Sequence, residues 1–468
     1  MAEHPSGVSR RVCVIGAGAN GLATLKVLAD THQVQSGQWT LVAFEERDNI
    51  GGIWYPAPPS GNPPLTPLYD SLSANIPHPI MAYQSFPFPP ETSLFPTASI
   101  VQKYLEDYAT HFKLLRYVRL CTRVETAFWD TDSKEWEVTL STGERQVFDF
   151  VVVANGHYRK PRYPVVAGLQ SWLDAGRAIH SVWYRCPHDY AHHKKIVVVG
   201  GGPSAIDVCG DMKGVIPLIL HSIPGPTYAG GPVYPDDSSN YRKVDRIKEY
   251  QEEGAILLAD GSIESDIDLV ILATGYELSF PFLPQIKLGV PSLPPPLPDE
   301  LYNSTYHIFP LAHHLFPLKG DFPPTSIAFT GLQYRVAPFP LFEDQARAIA
   351  RVLEEPECLD TLSCATDVVA RVHSLMREKG TQDPLLISKA WLRFGLLEPF
   401  EYRAKLNEFA GKNWTATDWE LELWERKRTI RREWKDIEES GKTEEWLKGV
   451  GLNGILICKE LIKRAIIT

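Results

Sequence analysis

The sequence predicts an α/β chain built from two doubly wound domains, one inserted in the other, followed by a helical C-terminal extension. Three observations carry that prediction. A β-branched run, a glycine-rich turn and an apolar stretch of helical period occur twice in that order, at RVCVIGAGANGLATLKVLAD and at KKIVVVGGGPSAIDVCGDM. Each unit is followed by a hairpin-like segment and a buried strand that meets a Gly-containing turn, WEVTLSTGERQVFDFVVVANG in one case and AILLADGSIESDIDLVILATG in the other. Beyond about residue 380 the text changes to charged, tryptophan-bearing stretches such as TATDWELELWERKRTIRREWKDIEES, which read as amphipathic helix.

The first unit contains Gly16-Ala17-Gly18-Ala19-Asn20-Gly21 between strand and helix. In a Rossmann-like fold the first glycine allows the tight turn, the second lets the backbone approach a pyrophosphate, and the third lets helix pack on strand. The phosphates then rest on unpaired amides at the helix N-terminus. Downstream, TLVAFEERDNIGG reads as a second strand ending in Glu45, placed to take ribose hydroxyls. The second unit repeats the pattern as Gly200-x-Gly202-Pro203-Ser204-Ala205, with Ala as an accepted small third residue. Ser204 is available to bond a phosphate and Asp207 lies one turn further on. Two fingerprints imply two dinucleotides, most commonly a flavin on the first and a nicotinamide donor on the second. The boundaries expected from these patterns are 1–170 and 304–380 for the flavin domain, 171–303 for the nicotinamide domain, and 381–468 for the extension. The proline-rich PSLPPPLPDE, 291–300, reads as a stiff returning linker.

Size and composition fit this plan. A chain of 468 residues exceeds one core, and 44% hydrophobic with 22% charged residues is ordinary for a globular protein. A net charge of −10 without a long basic run argues against nucleic acid or an anionic membrane surface as partner. No apolar run reaches bilayer length, and MAEHPSGVSRR lacks the apolar core of a signal peptide. Seven scattered cysteines, never spaced as CxxC, fit a reduced, cytoplasmic location. His188, His192 and His193 in HDYAHH have no supporting Cys or carboxylate cluster, so no metal site is expected.

The motifs GAGANG, FEERDNIGGIW, YDSLSANIPHPIMAYQSFPFP, VVVANGHYRKPRYP, HSVWYR, VVVGGGPSAID and LATGYELSFPFLP appear in one order along residues 10 to 355. That ordered set resembles the flavin-containing monooxygenases, of the fungal type. The resemblance implies FAD and NADPH as cofactors and O2 as co-substrate. It also implies a C4a-hydroperoxyflavin that oxygenates a soft nitrogen or sulfur nucleophile: a thiol, sulfide or amine, including intermediates of fungal natural products. It places Asn75, in SANIPHPIM, beside the flavin ring as the catalytic amide, with Ala74 preceding it where Thr or Ser is usual. By itself an Asn in a proline-rich loop is a turn residue. In the same way Ile53 and Trp54 match residues that cover the cofactor, and Gly275 closes the nicotinamide domain. FTGLQYRVAPFPLFEDQARAIARVLEE, 329–355, resembles the returning strand and the helix under the flavin.

Departures are visible too. The interdomain fingerprint keeps Gly176, His180 and Tyr184 but has Asp174 in place of a Phe, and His180 reads as a structural residue. After the second strand of the nicotinamide unit, His221 and Ser222 stand where the family has an Arg for the 2′-phosphate. A Baeyer–Villiger-type monooxygenase and a non-catalytic flavoprotein scaffold remain as alternatives. The tail would shape the substrate entrance or a homodimer contact.

Overall fold

The computed structural model describes residues 9–223, 238–449 and 454–467. The N-terminal segment MAEHPSG and the GLN that opens the last apolar run lie outside the described residues. The chain divides into two units, residues 1–52, 74–156 and 278–468 in the first, and 53–73 and 157–277 in the second.

The first leg of unit 1 carries strands β1 (Arg10–Ile15), β2 (Trp39–Phe44), β3 (Val118–Arg119), β4 (Val124–Asp130), β5 (Glu135–Leu140), β6 (Arg145–Phe148) and β7 (Phe150–Val153). Its helices are α1 (Ala19–Ala29), α2 (His32–Gln35), α3 (His78–Met81) and α4 (Ala98–His111). Unit 2 follows with β8 (Ala178–His180), β9 (Lys195–Val199), β10 (Leu218–Ser222), β11 (Tyr241–Val244), β12 (Ile247–Tyr250), β13 (Ile256–Leu258), β14 (Ile263–Glu264) and β15 (Leu269–Leu272). Its helices are α5 (Leu169–Asp174) and α6 (Pro203–Met212). The return to unit 1 adds short strands β16 (Lys287–Leu288), β17 (Tyr302–Asn303), β18 (Ile308–Phe309), β19 (Leu311–Ala312) and β20 (Phe316–Pro317), then β21 (Ile327–Phe329). Helices α7 (Pro338–Glu354), α8 (Thr361–Lys379), α9 (Pro384–Trp391), α10 (Glu398–Phe409), α11 (Asp418–Glu439), α12 (Thr443–Gly449) and α13 (Gly454–Ile467) complete it.

Both units use one plan. Unit 1 holds a parallel sheet in the order β21-β7-β1-β2-β3, and unit 2 one in the order β11-β10-β9-β15-β8. Each also holds a three-stranded antiparallel meander, β4-β5-β6 or β12-β13-β14, which contains the hairpins read from STGE and ADGS. In each sheet the strand that precedes the glycine loop lies centrally, between its sequence successor and a later strand. Its C-terminal end is thus a topological switch point, where open α/β sheets bind ligands.

Burial on both faces explains the unbroken apolar strands. In unit 2, Ile196, Val198, Ile219 and Ile271 pack on one side with α6, whereas Val197, Leu220, Val270 and Leu272 pack on the other with Trp172 and Tyr250. In unit 1, Cys13, Ile15, Val151, Val153, Ile327 and Phe329 face the meander residues Trp129, Trp136 and Val138.

The unit boundaries differ from those read in the sequence, because packing rather than motif order decides them. Tyr69 and Leu72 join the core of unit 2, which draws 53–73 into it. Leu278, Phe280, Phe282 and Leu301 lie in the core of unit 1, with Leu293 and Leu297 packed against it. PSLPPPLPDE is therefore part of unit 1 and not a linker between units. The extension is no separate domain either, since Ile387, Ala390 and Trp391 of α9 belong to the same core.

Candidate functional site

In unit 1 the loop after β1 is shaped by three backbone approaches. Gly16 has φ +101, and a Cβ there would stand 2.8 Å from the Ala154 carbonyl oxygen at the end of β7. A Cβ on Gly21 would stand 2.0 Å from the Gly16 oxygen, so α1 can start only with glycine at that place. Gly18, the N-cap of α1, faces Gly52 with only 3.3 Å between its absent Cβ and the Gly52 Cα. Gly51 N–H donates to the Ala17 carbonyl at 3.1 Å, so the NIGG segment runs along the loop. Glu45 follows β2 and is buried. Its Oε2 accepts from Ala17 N–H at 2.8 Å and its Oε1 from Arg47 N–H at 3.0 Å. Burial pushes the Glu45 carboxyl up, and the two N–H groups oppose that shift. Each oxygen keeps a further lone pair for a hydroxyl. Ala19 and Asn20 begin the helix; the Ala19 carbonyl accepts from the Tyr83 hydroxyl at 2.5 Å, and Asn20 Nδ2 donates to Thr330 Oγ1 at 2.7 Å.

Among the described residues, the buried polar atoms without a hydrogen-bond partner include Asn20 Oδ1, an acceptor on the helix that follows this loop, and Gln333 Nε2, a donor. Buried polar groups are normally satisfied. An elongated ligand with a diphosphate and both donors and acceptors would meet the glycine cradle and both orphans. The residues present fit FAD.

The loop with Asn75 is held at both ends. Ala74 N–H donates to the Pro96 carbonyl at 2.8 Å and His78 N–H to the Leu94 carbonyl at 2.9 Å, while Asn75 between them is exposed. Pro77 caps α3, and His78 is buried with its pKa lowered by desolvation to about 4, so it is neutral. The C-terminal helices α11 and α13 pack against α3, and the start of α13 is so close that a Cβ on Gly454 would stand 2.8 Å from His78 Nε2. The tail thus buttresses the element that follows Asn75, a relation the sequence did not disclose. Ile53 and Trp54 lie half-buried on a 3-10 turn, Gly52–Trp54, and both fall in unit 2.

In unit 2, Gly200 repeats the role of Gly16, with φ +134 and an absent Cβ 2.3 Å from the Ala273 oxygen at the end of β15. Gly202 caps α6, and among the described residues nothing lies within 4 Å of its Cβ position, which leaves room there for a close-lying group. Pro203 takes the first turn of the helix, where its missing N–H costs nothing. Ser204 is half-buried and Ala205 is fully buried against the sheet. Asp207 is engaged: its Oδ2 accepts from the Tyr69 hydroxyl at 2.6 Å. The Gly275 carbonyl accepts from His180 Nε2 at 2.9 Å, while His180 Nδ1 accepts from Val182 N–H at 3.1 Å. Burial lowers the His180 pKa to about 4, so the imidazole is a neutral tie between two backbone segments.

His221 and Ser222 are not at the surface for a 2′-phosphate. Both are buried; the His221 ring bonds Tyr241 Oη at 2.8 Å and the Gly200 carbonyl at 2.7 Å, and Ser222 Oγ donates to the Asp245 carbonyl at 3.0 Å. Their place inside the β10 strand, with Ile223 also buried, turns them inward. Among the described residues no group of three or more His, Cys, Asp or Glu gathers for a metal, and no helix is long and apolar enough to cross a membrane.

Sequence reasoning also passed over Thr330, Gln333 and Gln345. The signal lay in FTGLQ and FEDQARA, but a polar residue in a loop or an amphipathic helix looks solvated until its burial is known. Glu343, Asp344 and Gln345 are all fully buried.

Comparison with known proteins places this geometry. The sequence model for the family described as flavin-binding monooxygenase-like matches residues 9–224 and 241–380. The chain is 32% identical over 370 residues to flavin-containing monooxygenase FMO GS-OX5 of Arabidopsis thaliana, covering 74% of each protein. It is 28% identical over 425 residues to the thiol-specific monooxygenase of Saccharomyces cerevisiae, covering 87% of this chain and 92% of that one. Its fold matches S-allyl-L-cysteine S-oxygenase from Allium sativum over 98% of both chains, with a TM-score of 0.74 and 26% identity. Cyclohexanone monooxygenase, at 16% identity and a TM-score of 0.59, shares the fold. With its two glycine cradles in order and a match that spans both units, the chain belongs to the flavin-binding monooxygenase-like family, whose members are FAD- and NADPH-dependent monooxygenases.

Proposed function

We propose that this chain is an S-oxygenase that uses NADPH and O2 to oxygenate a soft sulfur nucleophile, a thiol or a sulfide. The observation that carries this reading is the near-complete alignment with two sulfur-named enzymes, one over 92% of its length in sequence and one over 98% in fold. Bound FAD supplies the redox and oxygen-activating chemistry, with NADPH as hydride donor. The protein's part is to bind, orient and shield. The Gly16–Gly21 loop and the α1 N-terminus would hold the FAD diphosphate, and Glu45 would hold both that loop and the ribose. The Gly200–Ala205 loop would hold the nicotinamide dinucleotide. Asn75 offers an amide that donates and accepts without titrating, so it can steady activated oxygen without delivering a proton that discharges peroxide. His78, which ends the same loop, is neutral and buried and adds no acid.

The test is a panel of thiols, sulfides and primary or secondary amines, read by NADPH consumption and oxygenated product. Sulfur oxides with little amine product are expected. Efficient N-oxygenation without S-oxygenation would overturn the reading.

A further inference from the structure

The loop after β21 carries a chain of amides whose donor and acceptor directions are fixed by one backbone group. Gly331 N–H donates to Gln345 Oε1 at 2.9 Å. A backbone N–H can only donate, so the oxygen of the Gln345 carboxamide must face it and the NH2 must face away. That NH2 donates to Gln333 Oε1 at 2.8 Å and to the Tyr402 hydroxyl at 3.3 Å, and the Tyr402 O–H in turn donates to the His313 carbonyl at 2.7 Å. Gln333 therefore accepts with its oxygen and is left presenting its NH2, the buried donor with no partner among the described residues. Gln345 and Gln333 are both buried, so water does not randomise the directions. The loop itself is tied to the FAD cradle, since Thr330 Oγ1 accepts from Asn20 Nδ2 while donating to the Val153 carbonyl at 3.1 Å.

We propose that Gln345 is a positioning residue that orients the Gln333 carboxamide so that a hydrogen-bond donor, rather than an acceptor, is presented to the flavin, with Tyr402 of the C-terminal extension completing the lock. The proposal rests on FAD occupying the first unit. It gives the extension a functional connection: α10 supplies Tyr402, and the buried Arg403–Asp344 pair, Nε to Oδ2 at 2.6 Å, holds α10 on α7. A donor aimed at the flavin stabilises the electron-rich reduced form more than the oxidised form. Loss of that donor makes the reduction potential more negative, and its replacement by an acceptor does so further.

Gln345→Glu keeps the size and still accepts from Gly331 N–H; at a pH above the titration of the new carboxyl, which burial raises, the carboxylate has no proton for Gln333. The Gln333 amide must then turn, donate to the new carboxylate and present its oxygen. Gln333→Met removes the donor directly. Holoenzymes of wild type, Gln345→Glu, Gln333→Met and the double variant are compared for FAD content, flavin absorption spectrum and reduction potential. The expected order is wild type highest, Gln333→Met lower and Gln345→Glu lowest, with the double variant above Gln345→Glu, because the part of the shift relayed through Gln333 is lost and only the direct effect of the new charge stays. A residue with only a structural role would lower the melting temperature in every variant and leave the potential unmoved. Wild-type potential and spectrum in FAD-loaded Gln333→Met, or a full Gln345→Glu shift persisting in the double variant, overturns the proposal while FAD binding stands. Should Gln345→Glu fail to fold, Gln333→Met alone still decides whether the donor faces the flavin. Wild-type protein that holds no FAD overturns the assignment of the first unit, and this proposal with it.

Discussion

The Gly16 carbonyl oxygen stands 2.0 Å from the place a Cβ on Gly21 would occupy, whereas Gly202 in the second unit has none of the described residues within 4 Å of its Cβ position. The two glycine loops therefore answer differently to the same small change. Gly21→Ala pushes backbone against backbone and forces α1 off β1, so it is expected to lower the melting temperature and the FAD content together. Gly202→Ala meets none of the described residues and sits at an ordinary negative φ. Thermal melts should show its stability and FAD content near wild type, with KM for the nicotinamide raised about tenfold or more if the dinucleotide backbone lies against that atom. Equal stability of the two variants would remove the steric argument.

His221 and Ser222 are bonded inward, and their substitution should affect stability before cofactor choice. Ser222→Ala and His221→Gln are expected to leave the ratio of kcat/KM for NADPH over NADH within about twofold of wild type, a change worth roughly 0.4 kcal/mol. His221→Gln should be the less stable of the two, because it breaks the tie to Gly200. A tenfold fall in the ratio would show that these residues read the 2′-phosphate.

Asn75 is exposed on a loop pinned through Ala74 and His78. Asn75→Ala therefore leaves the pins intact, and FAD binding and reduction by NADPH should persist. Activated oxygen should then escape as hydrogen peroxide in place of oxygenated product. Loss of one aimed hydrogen bond typically costs about 2.7–4 kcal/mol, or roughly a hundred- to thousand-fold in rate. Product and peroxide measured against NADPH consumed check this, and wild-type coupling would reduce Asn75 to a turn residue.

Among the buried histidines, desolvation lowers the pKa to about 4 at His78, about 4 at His180 and about 3 at His307, so these rings are neutral. Their unfolded values lie near 6.5, so between pH 6.5 and 4 the unfolded chain binds more protons than the folded one. The stability they contribute is complete above about pH 6.5 and is lost as pH falls toward 4. Each can remove up to about 1.4 kcal/mol per pH unit. Urea midpoints measured from pH 7.5 to 4.5 should be flat at the upper end and fall steeply below. A midpoint that stayed constant to pH 4.5 would mean these rings are hydrated in the folded protein.

The sequence by itself determined the two strand–loop–helix units, the hairpins, and the loop that bears Asn75. Those features rest on local rules: a glycine is required where φ is positive or a Cβ would strike backbone, and side-chain periodicity records which faces are buried. Only the tertiary structure decided where the units divide, since Tyr69 and Phe282 find their cores through contacts distant in sequence. It also decided that His221 and Asp207 are spent on internal partners, that α11 and α13 brace α3, and that Gln345 aims Gln333. The physical reason is common to all of these. A polar side chain has several partners within reach of its type, and burial among residues from remote parts of the chain selects which one it takes and which of its atoms is left to face a ligand.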